Sequence, residues 1–272
     1  MTPHQQPDTC GDRDLLRVDN VTLQYKTPQH LVTATYKVDF TVQESERYVI
    51  LGPSGCGKST LLKAVGGFMA PVTGEISIRG KAVTAPGPDR MMVFQEFEQL
   101  MPWKTVLQNV AFPMRATGKF GRAEAQERAV AMIDRVKLGQ FRDVYPHMLS
   151  GGMKMRVALA RAMALEPQIL LMDEPFAALD ALTRREMQQE LLGLWDQFRF
   201  TVLFVTHSIE EAIIVGSRIL VLSPHPGRVR AELDASRFRF DEADSPEFAA
   251  LSKRIHGLLF GERFDTSAKG TA

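Results

Sequence analysis

Gly52-Pro53-Ser54-Gly55-Cys56-Gly57-Lys58-Ser59-Thr60 follows directly on the apolar run Tyr48-Val49-Ile50-Leu51. A short strand entering a glycine-rich turn, with Lys-Ser-Thr opening a helix, is the P-loop pattern in its required context. The residue types follow from the chemistry. Gly52, Gly55 and Gly57 let backbone N–H groups converge on phosphate oxygens, where a Cβ would block the approach or the needed φ angles. Lys58 sets a cation on the β/γ phosphates, Ser59 offers a hydroxyl to Mg²⁺, and the helix N-terminus adds its positive dipole end. Pro53, Ser54, Cys56 and Thr60 complete the cradle. The stretch predicts binding of a nucleoside triphosphate.

The remainder of the chain is compatible with an α/β enzyme. Its 272 residues are 44% hydrophobic, enough for a substantial core. With 33 basic and 32 acidic residues the net charge is +1, which supplies no field for nonspecific binding to nucleic acid. Two cysteines, Cys10 and Cys56, leave no room for a disulfide scaffold and suit a reducing cytoplasm. Residues 1–14 read as a solvated tail without the apolar stretch of a signal peptide. No run approaches the roughly 18 apolar residues that span a bilayer, so membrane association is expected to come through a partner.

Hydrophobic periodicity divides the chain. Leu15–Gln24, Val38–Val42 and Glu75–Arg79 alternate as strands of a half-exposed antiparallel sheet. Ile169–Met172, Thr201–Val205 and Ile219–Leu222 are continuous apolar runs, the mark of parallel strands buried on both faces. Arg122–Leu138, Met155–Leu165 and Ala181–Phe198 carry helical spacing. The block from about 97 to 160 is mostly helical and interrupts the α/β pattern as an inserted subdomain. Pro246–Phe260 is expected to form a terminal helix. The fold class expected is a P-loop NTPase core with an antiparallel β-subdomain and a helical insertion.

The run Ile169–Met172 ends in Asp173-Glu174, delivering two carboxylates to a strand's C-terminal edge, where open parallel sheets bind ligands. Asp173 suits holding Mg²⁺, and Glu174 suits polarising the attacking water as general base.

Leu149-Ser150-Gly151-Gly152-Met153, followed by a helix and then the Asp-Glu strand, resembles the signature motif of ABC transporter ATPases, usually LSGGQ. The resemblance covers roughly residues 15–230 as one ATPase domain, with 231–272 as a C-terminal extension. It implies that Ser150, Gly151, Gly152 and Met153 bind the γ-phosphate of ATP held on the opposite subunit's P-loop, a role that suits a helix N-terminus. Met153 departs from the usual Gln, and Lys154-Met155 from the commonest Gln-Gln. By the same resemblance Gln95 is the Q-loop glutamine touching Mg²⁺, Asp180 in Ala178-Leu179-Asp180 belongs to the D-loop, and His207 is the switch histidine. Tyr25 matches the aromatic that stacks on adenine. The catalytic residues expected are Glu174, His207 and Lys58.

Leu100-Met101-Pro102-Trp103, Thr105–Val110, Phe176–Arg184 and His207–Ala212 are similar to the nitrate/sulfonate/taurine importer subgroup. That likeness implies a second ATPase subunit, transmembrane permease subunits and, indirectly, an extracytoplasmic solute-binding protein, with the chain on the cytoplasmic face of the membrane. Phe97, Leu100, Met101, Pro102 and Trp103 form an apolar stretch suited either to a permease helix or to the core of the insertion. A soluble ABC ATPase of DNA repair or translation is the rival reading, and the long coiled-coil insertions or tandem domains of such chains are missing here. Cys56, beside Lys58 at a helix N-terminus, is expected to be an acidified, reactive thiol.

Overall fold

A computed structural model describes residues 14–26, 30–94, 99–243 and 245–261. Two sheets organise them. β1 (Asp14–Lys26) and β2 (Leu31–Gln43) pair antiparallel, and β4 (Thr73–Ile78) and β5 (Lys81–Ala82) complete a four-stranded sheet in the order β2-β1-β4-β5. The second sheet has six strands. Its parallel members are β3 (Arg47–Leu51), β6 (Arg90–Val93), β7 (Ile169–Asp173), β8 (Thr201–Thr206) and β9 (Arg218–Leu222), in the order β9-β3-β8-β7-β6. β10 (Val229–Asp234) closes the edge antiparallel to β9.

The continuous apolar runs are explained by burial on both faces. Tyr48 and Ile50 of β3 enter the core between the two sheets, while Val49 and Leu51 enter the core on the opposite side. Successive side chains of a strand point to opposite faces, so a strand covered on both sides has no polar position to spare. α1 (Lys58–Val65) fills the space between the sheets, with Leu61, Leu62 and Val65 fully buried.

The helical insertion contains α2 (Val106–Ala116), α3 (Arg122–Arg135) and α4 (Gly151–Ala164), which pack on one another through Val110, Met114, Ala129, Ile133, Met155 and Leu159. α2 starts at a capping box between Thr105 and Gln108. One turn later Asn109, fully buried, accepts from the Met101 N–H at 2.8 Å and reaches the carbonyls of Met101, Lys104 and Thr105. It therefore holds the loop that carries Trp103. Leu100 is buried and Trp103 exposed, so the apolar stretch divides between core and surface; Phe97 lies outside the described residues.

α5 (Ala181–Phe198), α6 (Ile209–Val215) and α7 (Pro246–Phe260) cover the outer face of the parallel sheet. β10 straddles residue 230, and Leu233, Phe238, Phe248, Ile255 and Leu259 join the main core. The segment beyond 230 is thus continuous with the sheet and its packing. Asp14, expected in the tail, is the first residue of β1.

Candidate functional site

The register of the parallel sheet places the chemistry on one edge. Leu51 pairs with Thr206, and Asp173 with Val205, so β3, β7 and β8 end in one row. The phosphate loop, Glu174 and His207 leave the sheet together there, although they come from three separate segments.

The loop 52–57 is shaped from beneath. Gly57 has φ +97°, and a Cβ there would sit 2.6 Å from the Ala34 carbonyl oxygen of β2. Gly227, in the β9–β10 loop, donates to that same carbonyl at 2.9 Å, and a Cβ on it would collide with the Cys56 carbonyl oxygen. The β2 backbone and the 223–227 loop therefore brace the P-loop from below. Sequence reasoning missed Gly227, since one glycine after a Pro-His-Pro turn carries no signal of what it approaches.

Lys58 is almost fully buried. Its Nζ donates to the carbonyls of Gly52 at 2.9 Å and Pro53 at 3.1 Å and lies 3.7 Å from Glu174 Oε1. The Ser59 hydroxyl donates to Asp173 Oδ1 at 2.7 Å. Burial raises the Asp173 carboxyl above the usual carboxylate range, against the Ser59 hydrogen bond that lowers it. Glu174 sits at φ +45°, its N–H donating to Val205 O at 3.0 Å. That backbone turn sends its carboxylate back across the edge, where Oε2 lies 2.8 Å from His207 Nδ1. Lysine, glutamate and histidine thus stand in one line over the loop.

A hydroxyl and a carboxylate in contact are oxygen donors of the kind Mg²⁺ takes. Among the described residues no three His, Cys, Asp or Glu side chains cluster as a metal site. A cation at Ser59–Asp173 would draw its other ligands from phosphate oxygens and water, as Mg²⁺ does beside nucleotides.

Tyr25 projects from β1, paired with Val32 and 41% exposed. Leu23, two residues earlier, pairs with Thr35, whose neighbour Ala34 touches Gly57. At about 3.3 Å per residue, Tyr25 stands roughly 7 Å along the strand from the loop, within reach of a base attached to a loop-bound phosphate chain. Gln95 lies outside the described residues. On its flank, Gln99 Nε2 donates to Phe94 O at 2.9 Å and Arg161 of α4 donates to Gln99 O at 2.7 Å.

Two predicted contacts stay apart from this edge. Ser150 caps α4 by accepting from the Met153 N–H at 3.3 Å, and a Cβ on Gly152 would meet Thr183 of α5. Among the described residues no hydrogen bond or ion pair joins 149–153 to the loop, Asp173, Glu174 or His207. Asp180 caps α5 through the Thr183 N–H at 3.0 Å and hydroxyl at 2.7 Å, and these hydrogen bonds hold its carboxyl below the usual range.

The expectation for Cys56 is corrected. Its side chain turns under the loop: a Cβ on Gly52 would lie 2.7 Å from the Cys56 sulfur and 3.3 Å from Leu222 Cβ. The residue is 1% exposed, and burial pushes the thiol pKa up, outweighing the Lys58 charge that pulls it down. Helix-terminus and lysine proximity acidify a thiol that faces solvent, and this one does not.

A sequence-family profile described as "ABC transporter" matches residues 36–177. The chain belongs to the ABC transporter family. Within it, the chain is 46% identical to the taurine import ATP-binding protein TauB of Rhizobium johnstonii, over 90% of this chain and 96% of that one. It is 39% identical to the nitrate import ATP-binding protein NrtD of Synechococcus elongatus, over 90% and 91%. Among solved structures, a dimeric post-hydrolysis state of the ATP-binding cassette MJ0796 bound to ADP and Pi superposes with a TM-score of 0.70 at 34% identity. That alignment covers 82% of this chain and 100% of that one. The fold is that of an ABC ATPase, and the family's chemistry is ATP binding and hydrolysis.

Proposed function

We propose that the chain is the ATP-hydrolysing subunit of an ABC importer for nitrate, a sulfonate such as taurine, or a related small solute, and that two copies work as a pair. The observation that supports it most is the split between the two phosphate contacts. Lys58, Ser59–Asp173 and Glu174–His207 are assembled on one sheet edge, while Ser150–Met153 cap a helix elsewhere. A second copy turned head to tail supplies the missing lid, so each ATP lies between one loop and the other copy's α4.

In the reaction, Lys58 exchanges its carbonyl partners for the β/γ phosphates, and Tyr25 stacks on the adenine. Ser59 and Asp173 would hold Mg²⁺, with Gln95 as the further contact that the family resemblance implies, and the ion would supply charge neutralisation to the phosphate oxygens. Glu174 orients and deprotonates the attacking water, and His207 supports Glu174 and the γ-phosphate. Closure on ATP draws the helical insertions together, and hydrolysis lets them part. The exposed Trp103 and Phe94, with Phe112 of α2, offer apolar surface to a short permease helix at the cytoplasmic face of the membrane. Among the described residues no helix is long and apolar enough to cross a membrane. The solute reaches the permease through an extracytoplasmic binding protein, and this chain does not touch it.

The test is purification of the tagged chain in mild detergent. Co-isolation of a multispanning membrane protein, with Mg²⁺-dependent ATP turnover, is the expected result. Hydrolysis stimulated by DNA, with no membrane partner, would overturn the importer reading.

A further inference from the structure

On either side of His207 in sequence, Thr206 and Ser208 join Glu211 in a largely buried polar cluster that the hydrolysis scheme does not use. Ser208-Ile209-Glu210-Glu211 reads as a capping box, in which the glutamate should return directly to the Ser208 N–H. The structure departs from that pattern. Ser208 Oγ accepts from the Glu211 N–H at 3.3 Å as expected, but the Ser208 N–H donates to Thr206 Oγ1 at 3.0 Å. The Thr206 hydroxyl in turn donates to Glu211 Oε2. The box is relayed through the last residue of β8.

The relay encloses His207. Thr206 and Ser208 flank the histidine in sequence, and both are held by the ring that Glu211 closes. The carboxylate's other oxygen, Oε1, accepts from Gln188 Nε2 of α5 at 2.9 Å. That helix is capped by Asp180, and its Arg184 donates to the carbonyls of Phe176 and Leu179, in the segment leaving Glu174. Glu211 is 7% exposed, and burial pushes its carboxyl up. A charge-bearing group kept at such depth, where an ordinary box would leave it at the surface, is explained by what its two oxygens hold.

We propose that Glu211 is a positioning residue for His207. Acting through Thr206, and anchored by Gln188, it fixes the backbone on both sides of the imidazole so that Nδ1 stays 2.8 Å from Glu174 Oε2. The inference rests on the reading of Glu174 and His207 as the hydrolytic pair. A role limited to helix capping predicts lost stability; positioning predicts an effect that vanishes once the imidazole is gone.

The experiment measures steady-state hydrolysis of radiolabelled ATP by the full chain, with Glu211→Ala, Glu211→Gln, Thr206→Val, His207→Ala and the double variant Glu211→Ala/His207→Ala. The expected result for Glu211→Ala is a kcat at least about fivefold lower with KM within about twofold, and a further loss under about twofold in the His207→Ala background. Glu211→Gln, which keeps a side chain able to bond both partners, should recover most of the rate. Equal proportional losses in both backgrounds, or a raised KM at unchanged kcat, overturn the positioning role and leave the hydrolytic pair standing. A His207→Ala chain with wild-type kcat overturns both. If Glu211→Ala does not fold, Thr206→Val is compared in the same two backgrounds and judged by the same outcomes.

Discussion

Lys58 and Ser150 stand at the N-termini of two helices, α1 and α4, and both are read from sequence as phosphate contacts, but their surroundings differ. Lys58 is 4% exposed and held by two carbonyls of its own loop, with Glu174 beside it. Ser150 faces outward, and its side chain does no more than cap its own helix. One half of the site is wired into the sheet through β3, β7 and β8. The other is presented at the surface of the insertion, with the Met153 N–H held by Ser150 and the N–H groups of Gly151 and Gly152 in no hydrogen bond among the described residues. If this helix N-terminus takes phosphate as proposed, the phosphate arrives from outside the chain, and the dimeric form of the similar MJ0796 cassette makes a second copy its natural source.

The comparison can be broken most sharply at its wired half. Glu174→Gln should lower kcat by about 10²- to 10⁴-fold, the usual weight of general acid–base catalysis, while the chain still binds ATP in a filter assay. Normal turnover in that variant would sink the assigned base.

A mixed-subunit experiment tests the outward half. Lys58→Ala destroys the cradle and Gly151→Glu the lid, so each variant alone should be inactive. Mixed in equal amounts, half the dimers carry one intact composite site, and roughly a quarter of the wild-type rate should return. No recovery, from a mixture shown by native mass spectrometry to contain heterodimers, would mean that each chain encloses its own nucleotide.

Asn109 sharpens the contrast within the insertion. Asn109→Ala strands the Met101 N–H and several carbonyls of the Leu100–Lys104 loop in a buried setting, which should cost about 1–3 kcal/mol. Denaturant unfolding reads this directly. ATP binding by the isolated chain should survive, because among the described residues the Asn109 side chain bonds only to Met101, Lys104 and Thr105 and not to the cradle.

The smallest effect concerns Cys56. Burial raises its thiol pKa, so the thiolate fraction at neutral pH falls below that of a free cysteine and grows only as pH rises. In a Cys10→Ser chain, iodoacetamide should label native Cys56 slowly at pH 7, faster at pH 9, and rapidly at either pH in denaturant. Rapid labelling of native Cys56 at pH 7 would restore the original expectation of an acidified, reactive thiol.

How much was legible in the sequence depended on how local the cause was. The terminal helix 246–260 and the helix 181–198 were legible to the residue, since apolar spacing and the caps Ser245 and Asp180 are local signals. The parallel strands were legible because burial on both faces leaves no polar alternation. The reach of the sheet past residue 230 was not, because β10 carries an ordinary edge-strand pattern and its place is set by pairing with β9. Cys56 failed for a related reason. Its neighbours in sequence predict one environment, and the direction of its side chain creates another. Gly227 and the Glu211 relay rest on contacts made by residues far from the loop they support.

The sequence by itself marked the doubly buried strands and most of the long helices, and nominated side chains for phosphate, cation and proton chemistry, because propensity, periodicity and donor type are properties of short stretches. Only the tertiary structure decided that residues from β3, β7 and β8 meet on one edge, that Cys56 points inward, and that Ser150 caps its own helix without a hydrogen bond to the phosphate loop. Those outcomes depend on sheet order, register and burial, which are settled by packing between segments distant in sequence, such as β3 with β8 and Ser59 with Asp173.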